Sequence, residues 1–233
     1  MVPKLLSDEQ KERRKELCLD LLQRTENEPD LLNSIITCDE TWVFTYDPET
    51  KRQSMQWKST STPRPKKARM SRSKFKGMLT VFFDIQGTVM PERAPSGQTV
   101  NQQYDSEVLT KLREGVRRKR QALWRNGWIL HQDKAPAHNA LSVKQFLANK
   151  NITVLEHPTY SPDLAPCDFY LFPKIKSVLK GTHFVTVENV KAKSADILNS
   201  LTEHDLRNCF EHWQYRVQLC VNSEGNYFEG NRS

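Results

Sequence analysis

The 233-residue sequence has no hydrophobic run long enough to cross a membrane. Its longest apolar stretches, such as residues 78–83, are far shorter than the roughly 20 apolar residues of a membrane-spanning helix. The amino-terminal segment also lacks the apolar core of a signal peptide. We therefore expect a cytosolic or nuclear protein.

The sequence also lacks the cysteine spacing of a disulfide framework or a structural zinc site. It has five cysteines, an odd number, and none of them forms a C-x-x-C pair. We interpret them as reduced thiols, which fits an intracellular protein.

The composition is that of one large folded domain, with 37% hydrophobic and 27% charged residues. The net charge of +7 raises the odds of a polyanionic partner without naming one. Much of this charge lies in two clusters, each of which is interpretable either as a phosphate-contacting surface or as a solvated one. The first cluster, in a Pro- and Ser-rich loop without acids, comprises Arg64, Lys66, Lys67, Arg69, Arg72, Lys74 and Lys76. The second, on a predicted helix, comprises Arg117, Arg118, Lys119 and Arg120.

Short apolar strands interspersed with helices predict an α/β domain with a mixed sheet. A helix over 7–24 is expected to be capped by Ser7 with Gln10 as its capping-box partner. Strands are predicted at 34–38, 42–44, 78–84, 88–90, 128–131 and 152–155. Further helices are predicted at 101–125, 140–150, from about 168, and at 187–200 and 205–221.

Three aspartates follow from this pattern as candidate metal ligands. Asp39 and Asp133 come directly after predicted strands, and Asp168 lies at a helix start. Carboxylates are the side chains that Mg²⁺ prefers, and two such ions about 3.5–4 Å apart promote phosphodiester cleavage. The pattern alone leaves Asp47, Asp84 and Asp163 as competing choices, with Glu40 as a substitute for its neighbour Asp39.

Other residues near Asp133 have simpler interpretations. His131 and His138 flank it, but Mg²⁺ disfavours nitrogen ligands, so packing or hydrogen bonding is the expected role. The tryptophans are expected in the core, except that Trp57, beside the basic loop, is a candidate for stacking on a base.

Three motifs in order give the sequence a resemblance to the mariner family of DNA transposases. Residues 160–166, Tyr-Ser-Pro-Asp-Leu-Ala-Pro, resemble the YSPDLAP signature that shortly precedes that family's third catalytic aspartate, here Asp168. Residues 130–138 are similar to its H-x-D-N-A-x-x-H segment around Asp133, which 34 residues separate from Asp168. Residues 37–42 resemble its T-x-D-E-x-W strand around Asp39. Residues 225–229 and the start of the chain also resemble family segments, so the likeness covers nearly the whole sequence.

The resemblance implies an RNase H-like fold, as in retroviral integrases, with Asp39, Asp133 and Asp168 holding Mg²⁺ or Mn²⁺, in all two ions. It implies a transposase catalytic domain that cleaves transposon ends in double-stranded DNA and joins them to a TA target. It further implies a homodimer, a nuclear location, and a clamp loop at about 58–76 that reaches the partner subunit. The corresponding division is a linker remnant and helix at 1–30 followed by the catalytic domain at 31–233.

The sequence departs from the family pattern in two places. The helix-turn-helix modules that recognise transposon ends in the family are not in this chain, so we expect the chain alone to lack tight end-specific binding. Lys134 also stands after Asp133 where the family has Asn. Two further interpretations therefore stay open, namely a nuclease remnant and a co-opted DNA-binding or dimerisation module without catalysis.

We predict that Lys134→Asn increases DNA cleavage, because a cation beside a metal ligand competes with the metal ion for its carboxylate. Cleavage rates of the two proteins on one labelled duplex provide the measurement. An equal or lower rate in the variant would show instead that Lys134 is harmless or contacts a phosphate.

Overall fold

A mixed sheet forms the centre of the computed structural model, which describes residues 4–63, 66, 68, 70–93, 102–133, 135 and 138–228. Within these residues the sheet has five strands in the order β3-β2-β1-β4-β5. The strands are β1 (Ile35–Phe44), β2 (Lys76–Asp84), β3 (Gly87–Arg93), β4 (Ile129–His131) and β5 (Thr153–Leu155). The predicted α/β class with a mixed sheet flanked by helices is confirmed.

Strand β1 is the longest and joins the two halves of the sheet. It pairs in parallel with β4 only as far as Thr37 opposite His131, while its antiparallel pairing with β2 continues to Phe44 opposite Lys76. The prediction of two separate strands at 34–38 and 42–44 was therefore wrong, because β2 pairs with β1 without a break from Thr37 to Phe44. Asp39 lies within this strand, just beyond the end of the parallel pairing, rather than after a strand end.

Helices cover both faces of the sheet, and no helix in the described part of the chain is long and apolar enough to cross a membrane. They are α1 (Asp8–Asn27), α2 (Gln102–Lys119), α3 (Gln121–Asn126), α4 (Leu141–Asn149), α5 (Phe172–Leu179), α6 (Val187–Asn199) and α7 (Glu203–Asn222). A π-helical turn, Cys167–Leu171, leads directly into α5. The predicted capping box of Ser7 and Gln10 is present. The predicted helix 101–125 is two helices, because the chain leaves the helical conformation at Arg120.

Two hydrophobic cores lie on opposite faces of the sheet because successive strand side chains alternate between faces. Ile35 belongs to the core formed with α1, α5, α6 and α7, and its neighbour Ile36 belongs to the core formed with α2 and α4. Helix α1 packs against α7 and contributes Cys18 and Leu21 to the first core. The proposed domain boundary near residue 30 stays a prediction. All five cysteines are buried, and none of them forms a disulfide.

A buried ion pair attaches α1 to the loop before α5. The Arg14 guanidinium is fully buried and donates two hydrogen bonds to the Asp163 carboxylate, at 2.9 and 2.6 Å. It also donates to the Gly225 carbonyl at 2.9 Å and to Ser161 Oγ at 2.5 Å. Four of the five N–H donors of this guanidinium therefore have a partner, and a buried charge is tolerated when it is paired and hydrogen-bonded in this way.

We predict that Arg14→Met lowers the free energy of unfolding by about 3–5 kcal/mol, because the Asp163 carboxylate is left buried without its cation. The neighbouring Arg13 provides a matched control, since its pair with Glu156 at 2.6 Å is about half exposed. Arg13→Gln should cost less than about 1 kcal/mol. Urea denaturation of the three proteins measures both effects, and equal losses in the two variants would contradict this account of Arg14.

Candidate active site

Three aspartates from separate elements line one pocket at the sheet edge. Asp39 projects from β1, Asp133 follows β4 by two residues, and Asp168 lies in the π-helical turn before α5. The pocket has a volume of about 470 Å³ and all three side chains line it. Parallel pairing of β1 with β4 places the first two at the same edge, and the 157–166 loop returns the chain beside them. The structure thus brings together the three residues predicted from the sequence.

The competing acids are each occupied by an arginine. The three ion pairs are Asp47–Arg72 at 2.9 Å, Asp84–Arg120 at 2.6 Å and Asp163–Arg14 at 2.6 Å. Among the described residues, by contrast, no lysine or arginine forms an ion pair with Asp39, Asp133 or Asp168. Among the described residues, the pocket is therefore the place where three aspartates come together without a direct ion pair to a lysine or an arginine.

This concentration of charge perturbs the ionisation of the pocket. Burial raises the pKa of Asp39 to about 8, and the charges of Asp168, Glu40 and Asp133 add to the shift. Burial also raises the pKa of Asp168, against the opposing influence of Lys176 and with a contribution from Asp133. Carboxylates so arranged are stabilised in their charged form by an added cation.

The donor set suits a hard divalent cation, although no three acidic, histidine or cysteine side chains of the described residues already form a coordination shell. Each of two carboxylates is oriented by a backbone amide: Glu40 N–H donates to Asp39 Oδ1 at 2.7 Å, and Ala135 N–H donates to Asp133 Oδ1 at 3.0 Å. The second oxygen of each remains available. Oxygen ligands of this kind fit Mg²⁺ or Mn²⁺, which also keep water or phosphate oxygens as ligands.

Two buried histidines line the pocket without offering a nitrogen to a metal ion. The Ser161 carbonyl can only accept, so His157 Nε2 carries the proton and donates to it at 3.1 Å. His157 Nδ1 then accepts from His131 Nε2 at 3.1 Å, and His131 Nδ1 accepts from the Thr37 hydroxyl at 2.9 Å. Burial lowers the pKa of both, that of His157 to about 4. All four ring nitrogens are occupied, so these neutral rings support the pocket wall.

A third histidine lies beside the acids. His138 Nε2 is 3.4 Å from Glu40 Oε2 and 3.6 Å from Asp133 Oδ1. Glu40 does not line the pocket, in agreement with its position next to Asp39 on a continuous strand. His138 therefore connects Glu40 to Asp133 from outside the pocket.

The predicted DNA-contacting residues divide into three groups. Arg120 is largely buried in its ion pair with Asp84, so its guanidinium serves the fold at the α2–α3 junction. The exposed described residues are Lys66, Arg72, Lys74, Lys76, Arg117, Arg118 and Lys119, of which Arg72 pairs with Asp47 and Arg117 with Glu114. Arg64, Lys67 and Arg69 lie outside the described residues, as does Lys134. Trp57 is fully exposed, in contrast to the buried Trp128 and Trp213.

Several residues at the site had no signal in the sequence analysis. His157 is one of six histidines and precedes a proline, a context that predicts only a loop. Arg14 looks like any surface cation of a charged helix, and only the fold reveals its burial. Arg52, Lys176 and Lys180, which line a second groove beside Asp168, stand outside both predicted basic clusters. The Ser161 and Asp163 positions were recognised as part of a motif, but their contacts with His157 and Arg14 were not.

We predict that Asp39→Asn stabilises the metal-free protein at pH 8.5 and that this gain disappears towards pH 4. Below the ordinary pKa of 3.8, the Asp39 carboxyl is protonated in both the folded and the unfolded chain. Between pH 3.8 and about 8, only the folded chain keeps this proton, so the free energy of unfolding of the unmodified protein falls as pH rises. Urea denaturation in EDTA at several pH values measures the difference. Asp84→Asn is the control with the opposite sign, because it removes the partner of Arg120.

Comparison with known proteins agrees with this geometry. The family model described as Transposase (partial DDE domain) matches residues 47–126, a segment that does not include the three aspartates. The Mariner Mos1 transposase of Drosophila mauritiana is 33% identical over 232 residues, which are 98% of this chain and 66% of that protein. This chain thus spans slightly less than two thirds of that relative.

Solved structures extend the likeness to three dimensions. The crystal structure of the Mos1 mariner paired end complex with Mn matches with a TM-score of 0.89 at 33% identity, covering 98% of this chain and 66% of that one. The catalytic domain of Mos1 mariner transposase matches with a TM-score of 0.82 at 30% identity, covering 98% of this chain and 100% of that one. The expected RNase H-like fold is thereby confirmed, and the chain belongs to the mariner family of transposases, within which it corresponds to the DDE catalytic domain.

Proposed function

We propose that this domain cleaves and transfers DNA strands with the help of divalent metal ions held by Asp39, Asp133 and Asp168. The observation that carries the proposal is the contrast among the acids. The three competing aspartates are each paired with an arginine, whereas these three face one pocket without such a partner among the described residues. A site that concentrates unbalanced carboxylates at a rigid sheet edge suits metal-assisted phosphodiester chemistry.

The chain's own residues prepare this site before substrate arrives. Strand β1 fixes Asp39 through its pairing with β2. The backbone amides of Glu40 and Ala135 orient the Asp39 and Asp133 carboxylates. The neutral, hydrogen-bonded pair of His131 and His157 forms part of the pocket wall. Asp39 releases its proton when it becomes a ligand, because its raised pKa leaves it protonated at neutral pH.

When bound, Mg²⁺ or Mn²⁺ would activate the attacking oxygen and stabilise the oxygen that leaves with the cut DNA strand. The attacking oxygen would belong to water in cleavage and to a DNA 3′ hydroxyl in joining. Relatives support this choice of ions and substrate, since Mos1 is known in paired end complexes with Mn and with Mg and in a strand transfer complex. For this chain we propose two ions, transposon-end DNA and a TA target as substrates, action as a homodimer, and a nuclear location. The basic loop is proposed to contact DNA through Arg64, Lys66, Lys67, Arg69, Arg72, Lys74 and Lys76.

We predict that the domain cleaves a labelled, pre-nicked DNA duplex in a metal-dependent reaction, and that Asp133→Asn lowers the cleavage rate by at least about 100-fold. Losing a residue that only supports a metal ligand already costs about 10–100-fold in activity, and Asp133 is proposed as a ligand itself. Asp196→Asn is the matched control, because Asp196 is an exposed acid on α6. It removes the same charge and should leave the rate unchanged. Gel electrophoresis of the products with Mg²⁺, Mn²⁺ or EDTA measures all three proteins.

Three results would redirect the assignment. DNA binding without cleavage in either metal would contradict the enzyme and favour a co-opted DNA-binding module. Cleavage of the nicked duplex without any joined product would favour a nuclease remnant. Cleavage that persists in Asp133→Asn would show that the pocket is not the catalytic site.

A further inference from the structure

A second groove opens next to the catalytic pocket and shares one residue with it. It has a volume of about 640 Å³ and is lined on one side by the turn at residues 50–53 and on the other by α5. Asp168 lines both spaces, so an extended ligand lying in this groove passes directly beside the three aspartates. We call this space the α5 groove.

The α5 groove carries three cations and only one acid. Arg52, Lys176 and Lys180 line it, and Asp168 is the only carboxylate among its described lining residues. None of these three cations forms an ion pair with another described residue, whereas Arg14, Arg72 and Arg120 elsewhere each do. A groove lined by more cations than acids attracts an anionic ligand.

Lys176 occupies the inner part of this groove. Its side chain is partly buried, and burial lowers its pKa while the nearby Asp168 charge opposes that shift. Lys180 follows directly after the end of α5, and its N–H donates to the Lys176 carbonyl at 3.1 Å. The two lysines thus form a row that leads away from Asp168, with Arg52 across the groove.

The opposite wall is held in place before any ligand binds. Thr50 and Gln53 form reciprocal hydrogen bonds that close a tight turn, and Gln53 Nε2 donates to the Ser177 carbonyl of α5 at 2.8 Å. Beyond the helix, Gly181 N–H donates to the Asp47 carbonyl at 2.8 Å. Two hydrogen bonds therefore attach the segment around this turn to the carboxyl-terminal end of α5 and to the residues just after it.

We propose that the α5 groove binds the backbone phosphates of the DNA strand on one side of the bond that the catalytic pocket cuts. The inference rests on the proposed function for the identity of the polyanion. A phosphodiester backbone provides the repeating negative charge that a row of cations requires, and it needs no base-specific contacts. Arg52, Lys176 and Lys180 are binding residues in this assignment and take no part in the chemical step.

The experiment measures DNA affinity against salt concentration in EDTA, where no cleavage takes place. A fluorescent nicked duplex is titrated with the unmodified chain, with Arg52→Gln and with the triple variant Arg52→Gln/Lys176→Gln/Lys180→Gln. Lys150→Gln is the matched control, because Lys150 is exposed at the end of α4, on the other face of the sheet. Thermal melting checks the fold, and Arg52→Gln keeps the test valid if the triple variant is unstable, since Arg52 is exposed.

Each lost phosphate contact lowers the slope of log affinity against log salt by about 0.9. The slope is expected to fall by about 1 in Arg52→Gln and by roughly 2–3 in the triple variant, and to stay unchanged in Lys150→Gln. Slopes equal to that of the control in both groove variants would overturn the proposal. Because binding is measured without metal, a groove effect in a chain that never cleaves DNA would leave this inference standing and refute the enzyme instead.

Discussion

Mutual repulsion among Asp39, Asp133 and Asp168 is the constraint around which the rest of the structure is organised. Burial raises the pKa of Asp39 to about 8, with a further contribution from the charges of Asp168 and Asp133, and burial also raises the pKa of Asp168. An apo site of this kind is unfavourable and persists only when the surrounding fold fixes its members. The long β1 strand, paired on both sides, and the helical start at Cys167 provide that rigidity.

A continuous set of buried hydrogen bonds carries this rigidity to the far side of the domain. It runs from Thr37 through His131 and His157 to the Ser161 carbonyl. Arg14 of α1 in turn donates hydrogen bonds to the Ser161 hydroxyl and to the Asp163 carboxylate. The carboxyl-terminal turn closes the arrangement at Gly225, where φ is +74° and an added Cβ would collide with the Lys11 carbonyl. Helix α1 therefore belongs to the structure that shapes the pocket, although it is distant from it in sequence.

Much of this could be predicted from residues close together in the chain. Ser7 with Gln10, the hairpin around Gln86 and Gly87, and the strand before Asp133 have local signals, and the motif around Asp168 distinguished it from Asp163. Contacts between residues far apart in the chain had no such local signal. Whether 34–44 is one strand depends on β2, the break at Arg120 is accompanied by an ion pair with Asp84 far away in sequence, and the burial of Arg14 requires Asp163. The same holds for the α5 groove, whose cations meet only after folding.

Calorimetric titration of Mn²⁺ into the folded domain at pH 7 tests the central claim most directly, when it is performed in two buffers of different ionisation enthalpy. The account predicts that Mn²⁺ binds, that the heat depends on the buffer because Asp39 releases a proton, and that Asp133→Asn or Asp168→Asn greatly weakens binding. Mn²⁺ binding of unchanged affinity in both variants, or no binding to the unmodified chain, would contradict the claim that these three carboxylates form the metal site.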